Sequence, residues 1–137
     1  RDIVVELSEL AMERNVALTL DCPELTVRGN KSLLHRAFYN LVENAIKYNK
    51  PAGRAEICVR KQNGEITVVI ADTGLGVPEE QRTLIFEPFY RVDKSRSRQM
   101  GGAGLGLATV KAVLDKHGAQ IYVSENSGGG SVFTVIL

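Results

Sequence analysis

Asn40 and Asn44 stand four residues apart inside residues 33–48, a stretch whose apolar positions recur at helical spacing. Asparagine is a poor helix former, because its amide competes for backbone hydrogen bonds. Two on one face therefore ask for a reason. At 3.6 residues per turn, Asn40, Asn44, Lys47 and Tyr48 share one stripe, while Leu34, Phe38, Leu41, Val42 and Ala45 share another. The apolar stripe is a core face. The polar stripe is either an ordinary solvated face or a groove presenting amide oxygens, an ammonium and a phenol. Amide oxygens suit a hard cation such as Mg2+, and an ammonium suits phosphate.

Two further elements weigh toward the second reading. In residues 70–78 a hydrophobic strand ends in Asp72, followed by Gly74, Gly76 and Pro78. Such a placement fixes a carboxylate on a pocket floor, where it accepts a hydrogen bond from an exocyclic amine such as adenine N6. The glycines let a flat base approach the backbone. A plain Asp-Thr-Gly turn is the alternative. The other element is Gly101-Gly102-Ala103-Gly104-Leu105-Gly106-Leu107, which leads directly into a helical pattern. Glycine backbones curl around phosphates, and a helix N-terminus adds free N–H groups. The alternative is a hinge. No Gly-Lys-Ser/Thr occurs, and the spacing is not that of a dinucleotide fingerprint. Between these elements lie Phe86, Phe89, Tyr90 and Arg91, then Lys94, Arg96 and Arg98. The aromatics suit an anchor for a loop. The cations, Arg91 foremost, reach phosphates if the loop closes, or else form a solvated cluster.

The elements that must hold these groups can be read from pattern. Ile3, Val4, Leu7, Leu10 and Ala11 give a first helix. Residues 16–21 alternate as a strand, and 25–28 form a short second one. Asn30 is an N-cap for the long helix, which stops before Pro51. Strands at 56–61 and 65–71 flank Asn63-Gly64, a strong hairpin signal. Residues 79–85 read as a short helix and 90–100 as a mobile loop. A helix over 105–117 is closed by Gly118, and strands at 121–125 and 132–137 flank a glycine-rich turn. The fold this predicts is a two-layer α/β sandwich: a mixed, mostly antiparallel five-stranded sheet with three main helices on one face.

At 137 residues the chain is long enough for a single domain with a real core. A net charge of +1 offers no broad basic face, which argues against nucleic acid and anionic membrane as partners. Cys22 and Cys58 fall in no metal-binding or redox spacing and are expected reduced and packed. No apolar run reaches membrane-spanning length, and no signal peptide is visible. The chain opens at Arg1 directly into an amphipathic pattern, so it is expected to be part of a longer protein. His35 and His117 are expected to have no catalytic role. His117, in the last helical turn, suits the negative end of the helix dipole.

Taken together, the motifs resemble those of bacterial sensor histidine kinases. Asn40-Leu41-Val42-Glu43-Asn44-Ala45-Ile46-Lys47-Tyr48 resembles their N box, and Asp72-Thr73-Gly74-Leu75-Gly76 their first glycine box. Phe86-Glu87-Pro88-Phe89-Tyr90-Arg91 is similar to the F box, and Gly102-Ala103-Gly104-Leu105-Gly106-Leu107 to the second glycine box. Gly128-Gly129-Gly130-Ser131 resembles the glycine-rich turn near the family's domain end. The motifs keep the family's order and cover nearly the whole chain. The resemblance implies a Bergerat-type ATP-binding fold, shared with gyrase, Hsp90 and MutL, across residues 1–137.

The same resemblance implies the site. Asn44 is the Mg2+ ligand, supported by Asn40. Lys47 and Arg91 contact phosphate, and Tyr48 packs near the nucleotide. Asp72 binds adenine N6 beside Gly74 and Gly76, while Gly102, Gly104, Leu105, Gly106 and Leu107 shape a phosphate-facing lid. ATPase relatives usually place a catalytic Glu four residues before the metal-binding Asn. Here that position is Asn40, so water is poorly activated and transfer to a protein nucleophile is favoured. Glu43 points about 100° around the helix from Asn44 and is a poor substitute. Thr73 stands where the family often has Asn or Asp, with little expected consequence. His35 is followed by Arg36 and His117 by Gly118, so neither matches the family's acceptor-histidine motif.

The expected activity is that of a protein-histidine kinase catalytic domain. It binds Mg-ATP and passes the γ-phosphoryl to a histidine on a separate dimerisation domain, for relay to a response regulator. The isolated domain is expected to be a monomer, and the full-length protein a homodimer with this domain on the cytoplasmic side of the inner membrane. Two alternatives stand beside it: a serine kinase of the anti-sigma-factor type, and a nucleotide-sensing module without catalysis.

Overall fold

Asn30 opens the central helix. In the computed structural model its side-chain oxygen accepts the Leu33 N–H at 3.0 Å, satisfying one of the donors that every helix start leaves free. The structure describes residues 1–90 and 106–137. Helix α1 spans Asp2–Glu13, α2 spans Lys31–Lys47 and α3 spans Gly106–Lys116. The strands are β1 (Val16–Asp21), β2 (Gly53–Gln62), β3 (Glu65–Asp72), β4 (Gln120–Glu125) and β5 (Ser131–Ile136).

The five strands form one sheet in the order β1-β2-β3-β5-β4. Only β1 and β2 run parallel; the other pairs are antiparallel. The mixed, mostly antiparallel sheet expected from the sequence is thus present. The β2–β3 hairpin turns at Asn63 and Gly64, with φ of 53° and 81°, as a two-residue Asn-Gly loop requires. Register lines up two rows across the sheet: Ile57, Ile70, Phe133 and Val123, then Val59, Val68, Val135 and Ile121. These rows pack against Leu7 and Ala11 of α1, Ala37, Leu41, Val42, Ala45 and Ile46 of α2, and Val110, Val113 and Leu114 of α3. Because strand side chains alternate, one face of the sheet enters this core while Glu56, Arg60 and Tyr122 stay on the other.

Three expectations are corrected. Residues 25–28 are not a strand. Pro23 lacks an N–H, β1 has its single partner on its other edge, and this segment only leads the chain into α2, with Leu25 packing against the core. Residues 79–85 do not form one helix. They make two separate 3-10 turns, Glu79–Gln81 and Leu84–Phe86, because the segment between Pro78 and Pro88 is too short to propagate an α-helix. Strand β2 begins at Gly53 rather than residue 56, since its parallel pairing with β1 starts there. Cys22 and Cys58 are free and half-buried, as expected. The loop expected over 90–100, apart from Tyr90, lies outside the described residues.

Candidate functional site

Helix α2 carries the core on one face and the polar stripe on the other. Ala37, Leu41, Val42, Ala45 and Ile46 are buried, while Asn40, Asn44, Lys47 and Tyr48 are half-buried. Neither the Asn40 nor the Asn44 amide makes a hydrogen bond with a described residue, so both keep their full bonding capacity. Lys47 is held differently. Its ammonium lies 3.3 Å from the Glu43 carboxylate one turn earlier. Glu43 is thereby paired along the helix.

Asp72 ends β3 and is only 7% exposed. Its Oδ1 accepts the Gly74 N–H at 2.9 Å and the Ser131 N–H at 3.2 Å. The Ser131 hydroxyl donates to Oδ2 over a longer 3.5 Å. The Asn126 amide donates to the Asp72 carbonyl at 2.7 Å, fixing the strand end from the β4–β5 turn. Burial pushes the Asp72 carboxyl above its ordinary value, and the hydrogen bonds from Gly74 and Ser131 offset part of that. With Oδ1 engaged twice, Oδ2 is the oxygen with capacity left for an amine donor.

Two glycines are required by the closeness of chain to chain. A Cβ on Gly74 would lie 2.2 Å from the Tyr48 carbonyl, the same carbonyl that accepts the Leu75 N–H at 3.2 Å. A Cβ on Gly130 would lie 2.0 Å from the Asp72 carbonyl, at a φ of 101°. The turn after β3 is thus pressed between the end of α2 and the β4–β5 turn. This brings Tyr48 and Asp72, from separate elements, to one place. Sequence reasoning gave the glycines to an approaching base; packing already demands Gly74.

Phe86 and Tyr90 pack against the core, and the Tyr90 hydroxyl donates to Gln81 at 2.8 Å. Phe89 does not anchor: it is 69% exposed, with a φ of 65°. Gly106 and Leu107 open α3, and a Cβ on Gly106 would meet no heavy atom within 4 Å. Arg91, Lys94, Arg96, Arg98, Gly101, Gly102, Gly104 and Leu105 lie outside the described residues.

His117 meets one of the last carbonyls of α3, at the helix end where the sequence places it. Its Nδ1 lies 2.8 Å from the Val113 carbonyl, and its Nε2 accepts the Asn30 N–H at 3.0 Å. Missed from the sequence as site-forming were Ser131, Asn126 and Asn49. Ser131 had a signal in the glycine-rich turn before it. Asn49 and Asn126 had none, being polar residues in turns.

No cluster of three or more His, Cys, Asp or Glu side chains suited to a metal occurs among the described residues. A divalent ion here would take amide oxygens from α2, completed by phosphates and water, a donor set suited to Mg2+. The donor chemistry fits.

Comparison with known proteins identifies the family of this fold. The family profile described as "Histidine kinase-, DNA gyrase B-, and HSP90-like ATPase" matches residues 29–137. The sensor histidine kinase RppB of Synechocystis sp. is 38% identical over 138 residues, covering 99% of this chain and 30% of that protein. The chain therefore spans about a third of the length of the curated relatives it matches. A structure of the mycobacterial sensor histidine kinase MprB superposes with a TM-score of 0.84 at 32% identity, covering 98% of this chain and 90% of that one. Full-length ShkA in complex with AMPPNP gives a TM-score of 0.84 at 28% identity, over 99% of this chain and 28% of that one. On the family profile, the shared fold and the motif order, this chain belongs to the histidine kinase-, DNA gyrase B- and HSP90-like ATPase family, on its sensor histidine kinase side.

Proposed function

We propose that residues 1–137 form a single catalytic domain that binds Mg-ATP and donates the γ-phosphoryl to a histidine on a dimerisation segment of the same protein, for relay to a response regulator. The observation that carries the reading is the pairing of a buried Asp72, with Oδ2 still able to accept, and two α2 amides that no described residue uses. Asp72 takes adenine N6, and Gly74 and Gly76 shape the turn beneath the base. Asn44 holds Mg2+ through its amide oxygen, supported by Asn40. Lys47 and Arg91 meet phosphate, and Tyr48 packs beside the nucleotide. Gly102, Gly104, Leu105, Gly106 and Leu107 form the phosphate-facing lid.

Bound Mg-ATP supplies the transferable phosphoryl group and neutralises charge that develops on it. The residues of this chain position it. Asn40 offers no base for water, which favours a protein nucleophile. Neither histidine of the chain suits that role. His35 lies 3.2 Å from Glu6 and stacks on Tyr39, while His117 is tied to Asn30 and Val113. The acceptor therefore comes from a dimerisation segment, which also makes the full-length protein a homodimer around monomeric catalytic domains. No helix among the described residues is long and apolar enough to cross a membrane. We place the domain on the cytoplasmic side of a membrane-anchored sensor.

Calorimetric titration of ADP and a non-hydrolysable ATP analogue, with and without Mg2+, tests the site. Binding enhanced by Mg2+ and abolished by Asp72→Ala is the expected result, followed by phosphotransfer to a supplied dimerisation domain. No binding at millimolar nucleotide would overturn the reading.

A further inference from the structure

We infer that Asn49, acting through Thr73, is a positioning residue for adenine recognition, which sets the turn that presents Asp72; this rests on the nucleotide reading above. Asn49 follows α2 and uses its whole side-chain bonding capacity. Its Nδ2 donates to the Ala45 carbonyl at 3.0 Å and to the Arg54 carbonyl at 2.8 Å. Its Oδ1 accepts the Lys50 N–H at 2.9 Å and the Thr73 hydroxyl at 2.9 Å. Two donors and two lone pairs are all an asparagine amide has. One side chain thus fastens the last turn of α2, the start of β2 and the turn after β3.

Thr73 completes the joint. Its hydroxyl accepts the Arg54 N–H at 2.9 Å, so it receives from β2 and gives to Asn49, while its own N–H donates to the Arg54 carbonyl at 3.2 Å. Gly53 makes the room: a Cβ there would lie 2.2 Å from Asn49 Oδ1 and 2.7 Å from Thr73 Oγ1. Thr73 sits between Asp72 and Gly74, whose N–H fixes Asp72 Oδ1. On the other side Ser131, Asn126 and Gly130 hold Asp72. The carboxylate is therefore clamped from two directions, and Asn49–Thr73 is the clamp on the α2 side. Thr73 thus keeps specific bonds to β2 and to Asn49.

ADP carries a 6-amino donor where IDP carries a 6-oxo acceptor, so the affinity ratio ADP:IDP reports how well Asp72 Oδ2 is aimed. The ratio should be measured for the parent, Asn49→Ala, Thr73→Val, the double variant and Thr73→Ser, with thermal melting alongside. We expect each of the first two variants to lower the ratio about fivefold or more, the double variant to add little, and Thr73→Ser to keep the parent's ratio. Should Asn49→Ala not fold, the comparison of Thr73→Val with Thr73→Ser decides. Variants that melt earlier yet keep the parent's ratio would overturn the inference, because loss of stability alone does not alter base discrimination. A parent chain that binds ADP and IDP equally would overturn the assignment of adenine to Asp72, and this inference with it, whereas one that binds neither would overturn the nucleotide reading.

Discussion

His117 Nε2 lies 3.0 Å from the backbone nitrogen of Asn30, which joins the end of α3 to the cap of α2. The Asn30 N–H can only donate and the Val113 carbonyl can only accept, so the ring carries its proton on Nδ1. Asn30 also caps α2 through Leu33. His117→Ala removes the acceptor and loosens this cap. The expected loss is about 1–2 kcal/mol by chemical denaturation, in the range of a hydrogen bond plus weakened capping. A variant as stable as the parent would show that water replaces the ring at no cost.

Gly130 and Gly128 both have positive φ, but only one is crowded. A Cβ on Gly130 would lie 2.0 Å from the Asp72 carbonyl, whereas one on Gly128 meets nothing within 4 Å. Gly128→Ala should cost about 1 kcal/mol, the strain of a left-handed alanine. Gly130→Ala must also push the turn off β3 and should cost about 3 kcal/mol or more. Thermal melts of the two variants decide; equal losses would mean that strain alone matters.

Asp72 predicts a pH dependence. Burial holds its folded-state value above the ordinary 3.8. A raised carboxyl contributes stability that is complete below the unfolded value and is lost as pH rises through the folded one. Relative to the parent, Asp72→Asn should therefore look better at neutral pH than near pH 3.8. An adenine amine prefers the ionised carboxylate, so the parent's ADP affinity relative to Asp72→Asn should rise with pH across the same window. The ratio cancels titration of the nucleotide phosphates. A flat ratio would disconnect Asp72 from the base.

Asn44→Ala should remove the Mg2+-dependent part of ATP-analogue affinity, about tenfold or roughly 1.4 kcal/mol, while leaving Mg2+-free binding near the parent's. Equal losses with and without the ion would place Asn44 on the nucleotide rather than on the metal.

Asn40→Glu should install a base beside the metal ligand. Phosphate release from ATP in the absence of any acceptor protein should increase about tenfold or more. No increase would mean that the position does not face the attacking water.

Much of the fold was legible because period and punctuation agree locally. The Asn63-Gly64 turn, the Asn30 cap and the alternation of Val16–Asp21 each depend on neighbours in sequence. Residues 25–28 misled because their composition suits a strand, while the chain uses them only to lead from β1 into α2. Asp72 and the α2 amides were legible as unusual residue types in patterned elements. Asn49 was not legible, since its partners Ala45, Arg54 and Thr73 come together only when three elements meet. His117 was legible as a helix-end residue, whereas its contact with Asn30 depends on the packing of α3 against α2.

Helix α2 is also the connection between β1 and β2, the sheet's single parallel pair. Parallel neighbours cannot be closed by a tight turn, so Val16 meets Gly53 only after the chain carrying Asn40 and Asn44 has been laid across the core. Such a distant pairing forms late and opens as a unit. Amides of β1 and of α2 should accordingly exchange with solvent in one cooperative step. A partly folded chain that still lacks the β1 edge would also lack the polar stripe, so newly made protein acquires its sheet edge and this face of α2 together.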